Sequence, residues 1–138
     1  MLELNVNMIS DYVAVPEISR SLKNFLMDEN VEEHLCNAVE ICLVEALNNI
    51  IKHAYQGDHT KFIDISVRKN SEYLELLMVD EGKPRESLVV NELDFDPNDI
   101  QNLPESGMGL FIIKQLMDEM NYYSINGKNY FTLKKWFY

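Results

Sequence analysis

Apolar and polar residues alternate in "LELNVNM" (residues 2–8), the period of two that marks a strand with one buried face. From Pro16 the period lengthens. Ile18, Leu22, Phe25 and Leu26 form one stripe of a helix, with the proline near the first turn, where its missing N–H is harmless. A second helical segment runs from about Val31 to Tyr55 and is far more apolar. "KFIDISVRK" and "EYLELLMVDEG" read as strands joined by a hairpin turn at Asn70-Ser71. Between Glu81 and Ser106 the pattern is lost in an acidic stretch with prolines at 84, 97 and 104. So long a loop inside a compact domain is usually functional or mobile. A third helix is expected to begin near Ser106 and to run through "GLFIIKQLMDEM". Asn126-Gly127 marks a hairpin between the two strands of "YYSINGKNYFTLKKWF".

The order is β-α-α-β-β-loop-α-β-β. Strands joined mostly by hairpins predict an α+β, two-layer α/β sandwich: a mixed, mostly antiparallel sheet with the helices on one face. The 138 residues suffice for one domain, residues 1–138. A net charge of -11 argues against direct nucleic-acid binding, because phosphate would be repelled. Cys36 and Cys42 sit six positions apart on one helix and point to different faces, so they read as buried thiols in a reducing compartment. The N-terminus has no basic region and no long apolar run, and no segment is apolar enough to span a bilayer. A soluble cytoplasmic protein without membrane contact is expected.

Three stretches carry candidate chemistry. In "EALNNIIKHAY" (residues 45–55), Glu45, Asn49 and His53 follow at one-turn intervals, with Asn48 and Lys52 flanking. The rest of this helix is apolar enough to be covered, and paired asparagines are poor helix formers, so a merely solvated face explains the stripe poorly. A carboxylate there can act as a general base, and an amide one turn away can help hold a hard cation such as Mg²⁺. In "LLMVDEGKP", Asp80 ends a buried strand and can accept a hydrogen bond from an exocyclic amine. Gly82 permits a tight turn or a close backbone approach. On its own this is also an ordinary turn. In "ESGMGLFIIKQL", Ser106 is a good helix N-cap, and Gly107 and Gly109 leave the first turn bare, which suits phosphate. The third glycine of a dinucleotide fingerprint, a P-loop, and the HRD and DFG kinase signatures are all absent.

Taken in order, E-x-x-x-N on a helix, D-x-G ending a strand, a long loop and G-x-G opening a helix resemble the N, G1 and G2 boxes of the GHKL (Bergerat-fold) ATPase superfamily. "VEALNNIIKHAY" and "SGMGLFIIKQLMDEM" look very like bacterial anti-sigma factor serine kinases, and the resemblance covers essentially the whole chain. It implies ATP and Mg²⁺ as cofactors, with Glu45 as catalytic base and Asn49 as the Mg²⁺-binding amide. Asp80 becomes the adenine-reading acid, with Gly82 beside it. Gly107, Met108, Gly109 and Leu110 form the phosphate-contacting turn, Lys52 and His53 join the nucleotide site, and residues from about Lys83 to Ser106 form the ATP lid. The implied activity is that of a protein serine kinase that sequesters a sigma factor and phosphorylates a STAS-type antagonist. The implied assembly is a homodimer through the first helix, with Arg20 a candidate partner anchor.

The chain departs from the family in three places. "FDP" stands at Phe95–Pro97 and not directly after the D-x-G. Glu105-Ser106 replaces the arginine that often precedes the second glycine box, which leaves phosphate charge to Mg²⁺, the helix end, and Lys83, Arg85 or Lys114. No threonine on the last hairpin matches the usual support of the adenine acid; Asn129 is the nearest candidate. Two other readings compete: a nucleotide-gated partner-binding module without phosphotransfer, and a histidine-kinase catalytic domain. The second needs a helical hairpin for which this chain has no room, and His34 reads as a structural residue of the second helix.

Overall fold

The computed structural model describes residues 2–85 and 108–137. Strand β1 (Leu2–Ile9) leads into helices α1 (Ala14–Asp28) and α2 (Glu33–Asn49). The second helix continues as a π-helical turn, Ile50–Ala54. Strands β2 (Phe62–Lys69) and β3 (Tyr73–Asp80), helix α3 (Met108–Leu116), and strands β4 (Glu119–Ile125) and β5 (Lys128–Trp136) come next. The five strands make one sheet in the order β1-β2-β3-β5-β4, and all four pairings are antiparallel. The α+β expectation holds, and the sheet has no parallel pair among the described strands.

Alternation on the strands explains the layering. Ile63, Ile65 and Val67 on β2, Leu74, Leu76 and Met78 on β3, and Phe131 and Leu133 on β5 point to one face and are buried. Against them lies α2, with Leu35, Cys36, Val39, Cys42, Leu43, Ala46 and Leu47 buried. Both cysteines are free thiols. Burial and the nearby Glu45 carboxylate push the Cys42 thiol up to about 12, so it stays protonated and unreactive. On the opposite sheet face, Glu3, Arg68, Glu75, Lys134 and Glu119 face one another in register across all five strands, alternating in charge. Their ion pairs are long and partly exposed (3.3–4.0 Å), so they keep this face wet more than they stabilise it.

Several boundaries differ from the sequence reading. Helix α1 begins two residues before Pro16, which still falls in the first turn. Helix α3 stops at Leu116, and "DEM" does not continue it. Asp118 instead accepts the Trp136 N–H at 2.8 Å, and Glu119 already pairs with Lys134 in β4. His34 lies exposed on the first turn of α2, beside Glu32 at 3.2 Å, and does not pack in the core. Asn126 and Gly127 both take positive φ (52° and 79°), as a two-residue hairpin turn requires. The lid segment from residue 86 onward, including Phe95–Pro97 and Glu105-Ser106, lies outside the described residues.

Candidate functional site

The polar stripe at the C-terminal end of α2 is only partly covered. Glu45, Asn48, Asn49 and His53 are half-buried and Lys52 is exposed, while Ala46, Leu47, Ile50 and Ile51 beside them are buried. Together with Tyr12 from the loop before α1 and Gly109 from α3, these five residues line an open cleft. A second, more apolar cavity adjoins it. Its walls include Ala46, Ile50, Leu110, Tyr122 and Phe131, and Asp80 lies among them. Asn49 and His53 line both spaces, so the two adjoin at these residues.

Strand register delivers Asp80 to that cavity. Asp80 pairs with Asn129 across β3–β5, and Asn129 pairs with Ser124 across β5–β4. The three make a hydrogen-bonded row. The Ser124 hydroxyl donates to Asn129 Oδ1 at 2.6 Å, and Asn129 Nδ2 donates to Asp80 Oδ1 at 2.7 Å and to the Gly82 carbonyl at 3.0 Å. The Gly82 N–H donates to the same Asp80 Oδ1 at 2.9 Å. One carboxylate oxygen is thereby saturated, and the other is left to the cavity. Asp80 is only 3% exposed, and its burial raises the carboxyl above the usual carboxylate range, partly offset by the Asn129 and Gly82 donors. Asn129 thus stands where the sequence offered it as the nearest support for the acid.

Two glycines are explained by close approach. A Cβ on Gly82 would lie 2.4 Å from the backbone oxygen of Ala54, in the π turn. A Cβ on Gly109 would lie 2.8 Å from Glu45 Oε2 and 3.1 Å from Asn49 Nδ2. The first bare position lets the D-x-G turn sit on the end of α2. The second lets the first turn of α3 sit on the carboxylate and the amide. At both positions protein atoms already occupy the place of a side chain, so only glycine lets the two elements approach this closely.

Most sequence-predicted residues therefore converge: Glu45, Asn49, Lys52, His53, Asp80, Gly109 and Leu110 line the site, and Gly82 holds Asp80 in place. Met108 opens α3 without lining either space, and Gly107 lies outside the described residues. Of the proposed phosphate-charge partners, Arg85 lines the cavity, its backbone N–H donating to Tyr122 Oη at 2.8 Å, while Lys83 and Lys114 line neither space. Burial, with Arg85 and Lys52, lowers the His53 pKa, so the imidazole is neutral at pH 7. Sequence reasoning missed Tyr12, Tyr122 and Phe131. The alternation of β4 and β5 carried a signal for the last two, which fall on the inner face; a loop tyrosine such as Tyr12 carries none.

The arrangement can accept an amine at Asp80 in the apolar cavity and offers the Lys52 ammonium to an anion in the adjoining cleft. Among the described residues no three His, Cys, Asp or Glu side chains gather as a metal cage. A hard cation would need ligand phosphates as well as the Asn49 amide, the usual situation for Mg²⁺.

Known proteins resemble this chain in sequence and in fold. The sequence profile of the histidine kinase-like ATPase domain matches residues 9–135. Among curated proteins, the serine-protein kinase RsbW of Bacillus subtilis (strain 168) is 25% identical over 137 residues, covering 91% of this chain and 79% of that one. The same-named protein of Oceanobacillus iheyensis is 26% identical over 125 residues, covering 86% and 76%. Two solved structures share the fold. The RsbU and RsbW domains of a Mycobacterium tuberculosis protein superpose with a TM-score of 0.69 at 14% identity, covering 98% of this chain and 32% of that one. A chain of the SiaB–SiaC complex of Pseudomonas aeruginosa superposes with a TM-score of 0.62 at 16% identity, covering 96% and 89%.

Proposed function

Because the chain belongs to the histidine kinase-like ATPase domain family, we propose that residues 1–138 form one ATP-binding domain that acts as a protein serine kinase and anti-sigma factor. One observation carries the reading. Two adjoining spaces share Asn49 and His53, one ending on the buried acceptor Asp80 and the other on the carboxylate of Glu45. That layout fits a ligand with an amine at one end and a reacting phosphate at the other.

In this reading the unsaturated oxygen of Asp80 accepts the exocyclic amine of adenine, with Asn129 and Gly82 holding the carboxylate in place. Tyr122, Phe131 and Leu110 cover the base. The phosphates would pass Asn49 and His53 toward Lys52 and the first turn of α3, where Met108, Gly109 and Leu110 stand. Mg²⁺, when bound, offsets phosphate charge and polarises the reacting group, and Asn49 is the side chain that would hold it. Glu45 takes the proton from the attacking serine hydroxyl. The rest of the work is positioning and electrostatics, as in other phosphoryl transfers.

Relatives named serine-protein kinase support the enzyme over a binding module, and Glu45 supplies the base such an enzyme needs. We assign a sigma factor and a STAS-type antagonist as partners, a homodimer as the assembly and the cytoplasm as the setting. No helix of the described residues is long and apolar enough to cross a membrane. The test is to incubate the protein with Mg·ATP and the STAS-type proteins of the same genome, then map phosphoserine by mass spectrometry. Phosphate on a single antagonist serine supports the kinase; ATP-dependent capture of a partner that is never phosphorylated contradicts it.

A further inference from the structure

Strands β2 and β3 stop pairing at Asp64 and Val79, although β2 begins two residues earlier and Phe62 still pairs with Ile9 of β1. Two residues further along the same register, Phe62 would face Glu81. A tyrosine hydroxyl stands between them. Tyr55 Oη donates to the Phe62 carbonyl at 2.5 Å and accepts the Glu81 N–H at 2.9 Å. It therefore occupies the place of a backbone rung. Tyr55 is buried, and its burial raises the phenol pKa, so the proton it donates stays in place.

Beyond Glu81 the chain leaves the sheet at once. The Gly82 N–H turns back to Asp80 Oδ1, and the Lys83 N–H donates to the Ala54 carbonyl at 2.8 Å. Ala54 closes the π turn, in which Tyr55 N–H reaches back to the Ile50 carbonyl at 3.1 Å. The π turn thus leads directly into the tyrosine that interrupts the ladder, and its last residue offers the carbonyl that receives the freed chain. Local π geometry of this kind often marks a functional position in a helix.

We propose that Tyr55 is a positioning residue for base recognition: by taking the rung between Phe62 and Glu81 it ends β3 at Asp80 and holds that carboxylate over the cavity. The inference rests on the reading of the cavity as an adenine site. It links α2, which bears Glu45 and Asn49, to the turn that bears Asp80.

Removing the hydroxyl lets Phe62 and Glu81 pair directly, which adds a rung and draws the D-x-G turn off Ala54. In Tyr55→Phe the thermal midpoint should hold. Affinity for ATP, ADP and AMP should fall by one common factor of about tenfold, the size of one misplaced hydrogen bond. KM for ATP should rise while kcat at saturation holds, and 3-fluorotyrosine at position 55, which keeps the hydroxyl, should bind as wild type. A loss of melting temperature without loss of affinity in the folded fraction, or a loss confined to ATP, overturns the proposal. If Tyr55→Phe does not fold, amide exchange in the wild type decides. AMP should slow exchange at the Glu81 N–H, and an unchanged rate there overturns the proposal. A wild type that binds no adenine nucleotide overturns the cavity reading and this inference together. Wild-type binding with an unaltered Tyr55→Phe affinity overturns the inference alone.

Discussion

Gly109 meets the Glu45 carboxylate so closely that a Cβ at position 109 would stand 2.8 Å from Oε2. The atoms in the way are the ends of two side chains, Glu45 and Asn49, which can move. At Gly82 the obstacle is the backbone of Ala54, which cannot move without shifting the π turn. The two glycines should therefore fail differently. Gly109→Ala should keep its melting temperature within a few degrees and lose about tenfold or more in phosphotransfer, because a displacement of about 1 Å at reacting groups is that damaging. Gly82→Ala should lose roughly 1–3 kcal/mol of stability, as overpacking typically does, together with nucleotide affinity. Thermal melts beside transfer assays separate the two.

Asp80→Asn keeps shape and can still receive the Asn129 and Gly82 donors on its oxygen. The remaining position then holds an NH₂ that faces the adenine amine, donor against donor. ATP affinity should fall by on the order of 1–3 kcal/mol while the protein stays folded. Calorimetry with ATP checks this; equal affinity in a folded Asp80→Asn protein would remove Asp80 from the site.

The acid range gives an independent test of the same carboxyl. Its folded pKa is raised above 3.8 by burial, so its contribution to stability is complete below that value and is lost as pH rises through the folded pKa. Binding has the opposite sign, because only the ionised form accepts the amine on the free oxygen. Adenosine, which has no phosphate to titrate, should bind more tightly as pH rises from the ordinary carboxylate range toward neutrality. His53 lines the same cavity and titrates from a lowered pKa. The Asp80→Asn control should therefore lose the rise, and a His53→Gln control should keep it.

Much of this site could be read in the sequence because its residues stand at fixed helical and strand intervals. The spacing of Glu45 and Asn49 puts them along one stripe of the α-helix, with His53 following in the π turn, and Asp80 ends a continuous apolar run that already read as a buried strand. Ala54 and Tyr55 could not be read the same way. Their roles depend on a π turn that shifts the helical register by one residue and on which strand end lies against it, neither of which leaves a periodic signal. The same applies to the end of α3. "QLMDEM" continues the helical pattern, but the Asp118 carboxylate takes the Trp136 N–H and sheet pairing takes Glu119, so tertiary contacts override local preference.

Away from the site, Ser19 on α1 is fully buried, and its hydroxyl has no hydrogen-bond partner among the described residues. Ser19→Ala removes an unsatisfied polar group and improves helix propensity. It should stabilise the protein by about 1 kcal/mol with no change in ATP affinity. Urea unfolding with an unchanged m-value checks this, and a destabilised Ser19→Ala protein would mean that the hydroxyl has a partner in solution.

The central claim is that Glu45 removes the serine proton while Asn49 serves the metal-bound nucleotide. The direct measurement is single-turnover transfer from labelled ATP to the antagonist protein, run beside nucleotide titrations with and without Mg²⁺. A general base matters only as the proton leaves, so Glu45→Gln should bind Mg·ATP almost normally and transfer roughly 10²–10⁴-fold more slowly. Asn49→Ala should lose both transfer and the Mg²⁺-dependent part of binding. Transfer by Glu45→Gln at the wild-type rate would contradict the assignment of the base, and a wild type that transfers to no STAS-type partner would contradict the kinase itself.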